Sequence, residues 1–231
     1  VILIGVLGAL AADQLVQDRE DRGLESEYLE RLRADAGYDR EEIQFVLAVS
    51  RAGLEAVDSL LDPTFSERAT DDALLGAALL AASARQLDLS RGTWEELVAS
   101  GRIALLKEPE VRLALADYAR FAGEIAGFWE YTDNDLWAWV GRRLPGEVQD
   151  AWNSTCIPGD GGSRYSTSQA TSICDLGSPP GAADWIRSEI RSEVAVGELR
   201  LQRARYMGFL DIGEVLLTGV DNLERVLNEA R

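Results

Sequence analysis

Nowhere in this chain do apolar and polar residues alternate with period two for long enough to require a sheet. The recurring spacing is three and four, the period of a helix with one face inward, and the expected fold is all-α. Leu24, Tyr28 and Leu32 make one apolar stripe on a charged helix over 13–36, which Gly37 is expected to break. A second helix is expected over 39–61, with Ile43, Val46, Leu47, Leu54, Val57, Leu60 and Leu61 inward. Asp62-Pro63 ends it, because the residue before proline is pushed out of the α region. Thr70 with Asp71 and Asp72 opens a third helix, by capping and by acid at the positive end. Its body, 73–87, is apolar nearly all round and reads as core. Thr93-Trp94-Glu95-Glu96 reads as a capping box, with Trp94, Leu97, Ile103 and Leu106 inward and Ser100-Gly101 closing the helix. Pro109 suits the first turn of a helix running to about Leu144. Residues 153–181, dominated by Gly, Ser, Thr and Pro, read as a long loop. The segment from about Ala182 to Arg231 is helical again, with a division expected at Gly208, Gly213 or Gly219.

The beginning of the chain adds a second constraint. Residues 1–12, VILIGVLGALAA, carry no polar side chain, and the run stops abruptly at Asp13. As a helix it spans about 18 Å, whereas a bilayer core needs about 30 Å, or roughly 20 residues. It reads as the C-terminal part of a transmembrane anchor whose first part lies upstream; the alternative is a buried helix in a soluble fold. Gly5 with Ala9, and Gly8 with Ala12, are small residues four apart that would let another membrane helix approach closely, although such residues are common in any membrane helix. The expected organisation is an anchor over 1–12, a charged helical stalk over 13–36, and an acidic helical domain over 37–231. Asp18 with Arg22 and Glu27 with Arg31 support the stalk as acid-first pairs four apart.

Charge and cysteine usage bear on partners and compartment. The 231 residues carry 40 acidic against 23 basic side chains, a net charge of -17, and no histidine. Such a balance argues against nucleic acid or anionic headgroups as main partners, since both select basic faces. The absence of histidine excludes His triads and His-ligated metals. Cys156 and Cys174 lie 18 positions apart in the one long loop. Two thiols so placed read as a disulfide staple, worth about 3 kcal/mol in the chain-entropy model. That bond needs an oxidising compartment, which for an anchored bacterial protein is the periplasm. Arg19, Arg22, Arg31 and Arg33 pull the other way, because basic flanks normally stay cytoplasmic, but long domains translocate largely regardless of such charge.

Two stretches carry a resemblance. Tyr28, Leu29, Leu32 and Asp35 form a YLxxLxxD pattern after the apolar helix. Thr93, Trp94, Glu96, Leu97, Ser100, Gly101, Ile103, Leu105 and Leu106 form a T-W-x-E-L-x-x-S-G-x-I-x-L-L segment. In these stretches the chain resembles a family of bacterial single-pass membrane proteins for which no activity is established. The likeness is loose beyond about Arg120 and does not include the loop with Cys156 and Cys174. It implies a topology and a helical fold, not a chemistry.

The densest chemical constellation is Phe128 to Trp139, where Glu130, Asp133 and Asp135 stand among Trp129, Trp137 and Trp139. Carboxylates among aromatic rings are what a sugar-cleaving site uses. On a helix, however, Trp129, Asp133 and Trp137 share a face and Asp135 does not, and such spacing is the ordinary sign of core and interface aromatics. Asp133-Asn134-Asp135 begins like a calcium loop but lacks the glycine and closing glutamate. Lys107 has no preceding Ser-x-x-Lys, and Gly159-Asp160-Gly161-Gly162 has no Walker lysine. No cofactor or metal is expected. The expected function is a non-enzymatic accessory subunit in the bacterial inner membrane, stabilising a larger complex of the respiratory or photosynthetic kind. Its partners are other integral subunits and the bilayer, with self-association open and Trp129, Trp137 and Trp139 as a partner surface. The alternatives are a periplasmic ligand-binding or sensing module and a carboxylate-based envelope hydrolase.

Overall fold

The computed structural model describes residues 2–83, 87–130, 135–152 and 176–230, with side chains for these apart from 2–12, 126–130, 135 and 137. The fold is all-α, with no strand among the described residues. In chain order the helices are α1 (Ile2–Leu61), α2 (Pro63–Arg68), α3 (Asp71–Ala82), α4 (Gly92–Ala99), a 3-10 turn (Arg102–Leu105), α5 (Pro109–Glu130), α6 (Asp135–Gly141), α7 (Gly146–Ala151), α8 (Asp184–Glu189) and α9 (Glu193–Glu229). The chain divides into two compact units. The first is Val1–Glu41, Asp88–Glu124 and Thr218–Arg231; the second is Glu42–Leu87 and Ile125–Leu217.

The first unit is built on the residues whose spacing marks them as inward. Tyr28, Leu29, Leu32 and Ala36 of α1 are buried with Leu97 of α4, Leu106, Val111 and Leu115 leading into and along α5, and Leu223 and Leu227 of α9. Each fully buried leucine contributes about 1.5–3 kcal/mol. Arg33 donates to the Leu227 carbonyl at 2.6 Å and to the Ala230 carbonyl at 3.0 Å, satisfying the free carbonyls at the end of α9. Arg40 pairs with Asp221 and Glu224, each at 2.6 Å.

In the second unit α3 is the central element, packing on α6 and α8. Leu74, Leu75, Leu79, Ala81 and Ala82 are fully buried, as an all-round apolar helix must be. Thr70 accepts from the Ala73 N–H at 3.2 Å, the expected cap. Asp71 and Asp72 also gather the following chain: the Gly181 N–H and Arg187 bond Asp71, and the Ser178 N–H bonds Asp72. At the other end of α3 the Tyr206 hydroxyl lies 2.9–3.1 Å from the Leu80, Ala81 and Ser83 carbonyls. Its ring rests on Gly53, where an added Cβ would stand 2.3 Å from the Tyr206 ring carbon Cζ.

Several expectations require correction. Gly37 does not end a helix; α1 passes through it. A helical glycine costs only about 1 kcal/mol against alanine, and Ala36 and Asp39 on either side are each 1% exposed, so packing holds the helix together. Residues 13–36 are not a uniform stalk either. Asp13 to Glu20 are exposed, but Tyr28, Leu29 and Leu32 belong to the core of the first unit. Asp62-Pro63 does end α1, with Asp62 accepting from the Thr64 N–H to cap α2. Of the helix opened by Pro109, α5 is described to Glu130 and α6 from Asp135; residues 131–134 lie outside the described residues. The last segment divides between Ile190 and Ser192 rather than at Gly208, Gly213 or Gly219, which all lie inside α9. Among the described residues no helix is long and apolar enough to cross a membrane. Gly5, Gly8, Ala9 and Ala12 lie in α1, but their side chains are outside the described set, as are Cys156, Cys174 and most of the loop over 153–181.

Candidate functional site

The YLxxLxxD stretch and the T-W-x-E-L-x-x-S-G segment meet in the first unit. The Tyr28 hydroxyl donates to Glu96 Oε1 at 2.7 Å, and Arg31 donates to Glu96 Oε2 at 2.6 Å. Arg102 donates to the Tyr28 hydroxyl oxygen at 3.2 Å. The Arg31 guanidinium, followed by the Tyr28 hydroxyl, holds the Glu96 carboxyl below the usual carboxylate range. This overturns the capping box. Glu96 does not reach back to its own helix start, no side chain caps α4, and Thr93 is a buried residue inside its first turn. Leu97 and Leu106 are fully buried, while Trp94 and Ile103 are only half-buried. Gly101 takes φ 69°, the left-handed conformation that ends a helix and favours glycine. Lys107 is tied to Glu25: its N–H donates to Oε1 at 2.8 Å, and its Nζ lies 3.5 Å from Oε2.

The same unit holds a buried polar centre that no motif in the sequence marks. Asp39 is 1% exposed. Its Oδ1 accepts from the Ser90 N–H at 2.6 Å, and its Oδ2 accepts from the Tyr118 hydroxyl at 2.7 Å. Both partners are neutral donors, and among the described residues no cation bonds it. Burial is the main cause that pushes the Asp39 carboxyl up to about 6; the Ser90 and Tyr118 bonds oppose the rise, and Asp35 and Asp88 add to it. Burial, then the negative charge of Asp39, pushes the Tyr118 phenol well above its ordinary range. One turn before Asp39 on the same helix, Asp35 Oδ2 is buried with no hydrogen-bond partner. A cavity of about 20 Å³ adjoins these groups, lined by Asp35, Asp39, Ser90, Trp94 and Tyr118 among others. That volume accommodates about one water molecule. Among the described residues no cluster of carboxylates or thiols is arranged to hold a metal ion.

The aromatic segment is placed only in part. Trp129 lies in α5 and Trp137 in α6, with side chains outside the described set, as are residues 131–134. Trp139 is half-buried and meets Trp185 edge-on, ring centroids 5.2 Å apart. The Arg143 guanidinium lies 5.1 Å from the Trp139 ring centroid and pairs with Glu189 at 3.0 Å. This is a packed aromatic corner with a cation on its face. The Trp185 indole N–H is buried without a partner. Comparison of the chain with known protein families, with curated proteins and with solved structures finds no match.

Proposed function

We propose that the chain is a non-enzymatic accessory subunit, anchored in the bacterial inner membrane and stabilising a larger membrane complex with its acidic helical units in the periplasm. The observation that carries this reading is the continuity of α1. One helix runs from the apolar residues at its start, through the exposed turns of 13–20, to the buried Tyr28, Leu29 and Leu32. A helix with no break in that span transmits position, so a start held in lipid would hold the first unit at a set distance from the bilayer. The reading requires further apolar residues ahead of Val1, because 1–12 alone reach about 18 Å as a helix. It takes Gly5, Gly8, Ala9 and Ala12 as the face that meets a neighbouring span. The resemblance to single-pass membrane proteins supports the same topology. The respiratory or photosynthetic nature of the complex, the disulfide between Cys156 and Cys174, and a partner surface at Trp129, Trp137 and Trp139 belong to this proposal.

The test is mild detergent extraction of the full-length protein from its own membranes, followed by co-purification. The expected result is retention in membranes after carbonate washing and recovery with integral membrane subunits. Release by carbonate would overturn the anchor. Alkylation with and without reductant reports the compartment: both thiols should react only after reduction, and free labelling of both would place the units on the other side.

A further inference from the structure

Asp39 is a buried side chain of the first unit that ties α1 to two other parts of the unit at once. Through Oδ1 it holds the Ser90 N–H of the segment leading into α4, and through Oδ2 the Tyr118 hydroxyl of α5. The groups that face it are Asp35 from its own helix, Asp88 and Arg91 from the 88–91 segment, and Tyr118 from α5; from α9 the cavity takes only Leu223. Arg91 lines the cavity but is exposed and lies 4.0 Å from Glu95, so it does not neutralise the centre. A buried carboxylate held by two neutral donors, beside a second carboxylate with an unpartnered oxygen, carries charge at a cost.

We propose that Asp39 is a proton-operated clasp: uptake of one proton by its carboxyl tightens the hold of α1 on the 88–91 segment and on α5. The proton comes from solvent and bonds to Oδ2. Oδ1 continues to accept from the Ser90 N–H, which leaves no room for a hydrogen on that side. The Tyr118 hydroxyl oxygen then accepts from Oδ2, and its own hydrogen turns toward the water-sized cavity that Asp35 also lines. No hydrogen bond is lost, and the buried negative charge disappears.

The closed unit holds the Asp39 proton up to about pH 6, whereas a solvated aspartate releases it near 3.9. Between these values the closed form binds more protons than the open form, so closure strengthens as pH falls and weakens as pH rises. From pH 7 to pH 5 the closed-to-open ratio of this segment rises about tenfold.

Hydrogen exchange of the full chain at pH 5 and pH 7, corrected for the chemical exchange rate, reads this directly. Protection over residues 88–95 is expected to be about tenfold greater at pH 5. In Asp39→Asn, which is neutral at both pH values and keeps an acceptor for Ser90, protection should be the same at both. A flat or falling wild-type profile, or the full rise persisting in Asp39→Asn, overturns the proposal. Tyr118→Phe is the second variant, for the case in which Asp39→Asn does not fold. It removes a donor that favours the charged form, so the midpoint of the rise should move to higher pH. An unmoved midpoint overturns the clasp.

Discussion

Gly53 and Tyr206 show how much of this fold rests on single residues. The Tyr206 ring is 1% exposed and its hydroxyl sits among three carbonyls at the end of α3, so the ring has no freedom to give way. A methyl group at Gly53 would overlap it, at 2.3 Å from Cζ and 2.6 Å from the hydroxyl oxygen. Gly53→Ala should therefore destabilise the chain by about 1–3 kcal/mol, the usual cost of overpacking a filled core. A urea melt measures it. The control is Gly123→Ala, in an exposed turn of α5 with no atom within 4 Å of the added Cβ. That change should stabilise by about 0.5–1 kcal/mol through the ordinary helix preference of alanine. Equal effects at the two sites would mean that the Tyr206 ring yields. Gly53 could not have been picked out from the sequence, because its neighbour on the ring side is more than 150 positions away. In the buried centre, likewise, Ser90 and Tyr118 lie 51 and 79 positions from Asp39. The one local signal was the spacing of four between Asp35 and Asp39, which puts both carboxyls on one face of α1.

At the scale of elements, the ends set by short-range chemistry were legible and those set by long-range packing were not. Asp62-Pro63, the Thr70 cap and Pro109 at the start of α5 all follow from backbone rules that need no partner. The apolar body of α3 was legible as core for the same reason. At Glu96 the local pattern misleads, because a capping box and a cross-helix ion pair use the same residue, and Tyr28 and Arg31, 68 and 65 positions away, claim it. At Gly37 local propensity is weaker than the burial of Ala36 and Asp39 around it, and the helix continues. This gives a prediction for α1. An added Cβ at Gly37 meets only Glu224 Oε1, at an ordinary contact distance of 3.9 Å. Gly37→Ala should then stabilise the chain by about 0.5–1 kcal/mol, whereas Gly37→Pro should cost about 3 kcal/mol or more. Thermal melts of the two variants check the pair. If Gly37→Ala destabilised, the helix would need flexibility at this point, and the argument from continuity of α1 would lose its footing.

For the whole molecule the governing quantity is the excess of acid. Were every one of the 23 basic side chains paired one to one, 17 of the 40 negative charges would still be left over. Several of the pairs among the described residues are exposed: Arg31–Glu96, Arg51–Glu214, Arg191–Glu67 and Arg203–Asp58 all keep 40% or more of each side chain in solvent. Exposed pairs are worth at most about 1 kcal/mol each. Salt therefore acts in two opposing ways. It weakens these attractions, and it screens the repulsion among the unpaired carboxylates, which acts over about 30 Å at 0.01 M but only about 10 Å at 0.1 M. Attractions at contact distance are screened less than repulsions spread across the surface, so the second effect should win. The melting temperature should rise between 10 mM and 300 mM sodium chloride at pH 7.5, where Asp39 is already ionised. Repeating the measurement at pH 5, with some carboxylates protonated, should give a smaller rise. A melting temperature that falls with salt at pH 7.5 would mean that the cross-helix pairs, Arg40 with Asp221 and Glu224 foremost among them, outweigh the net charge.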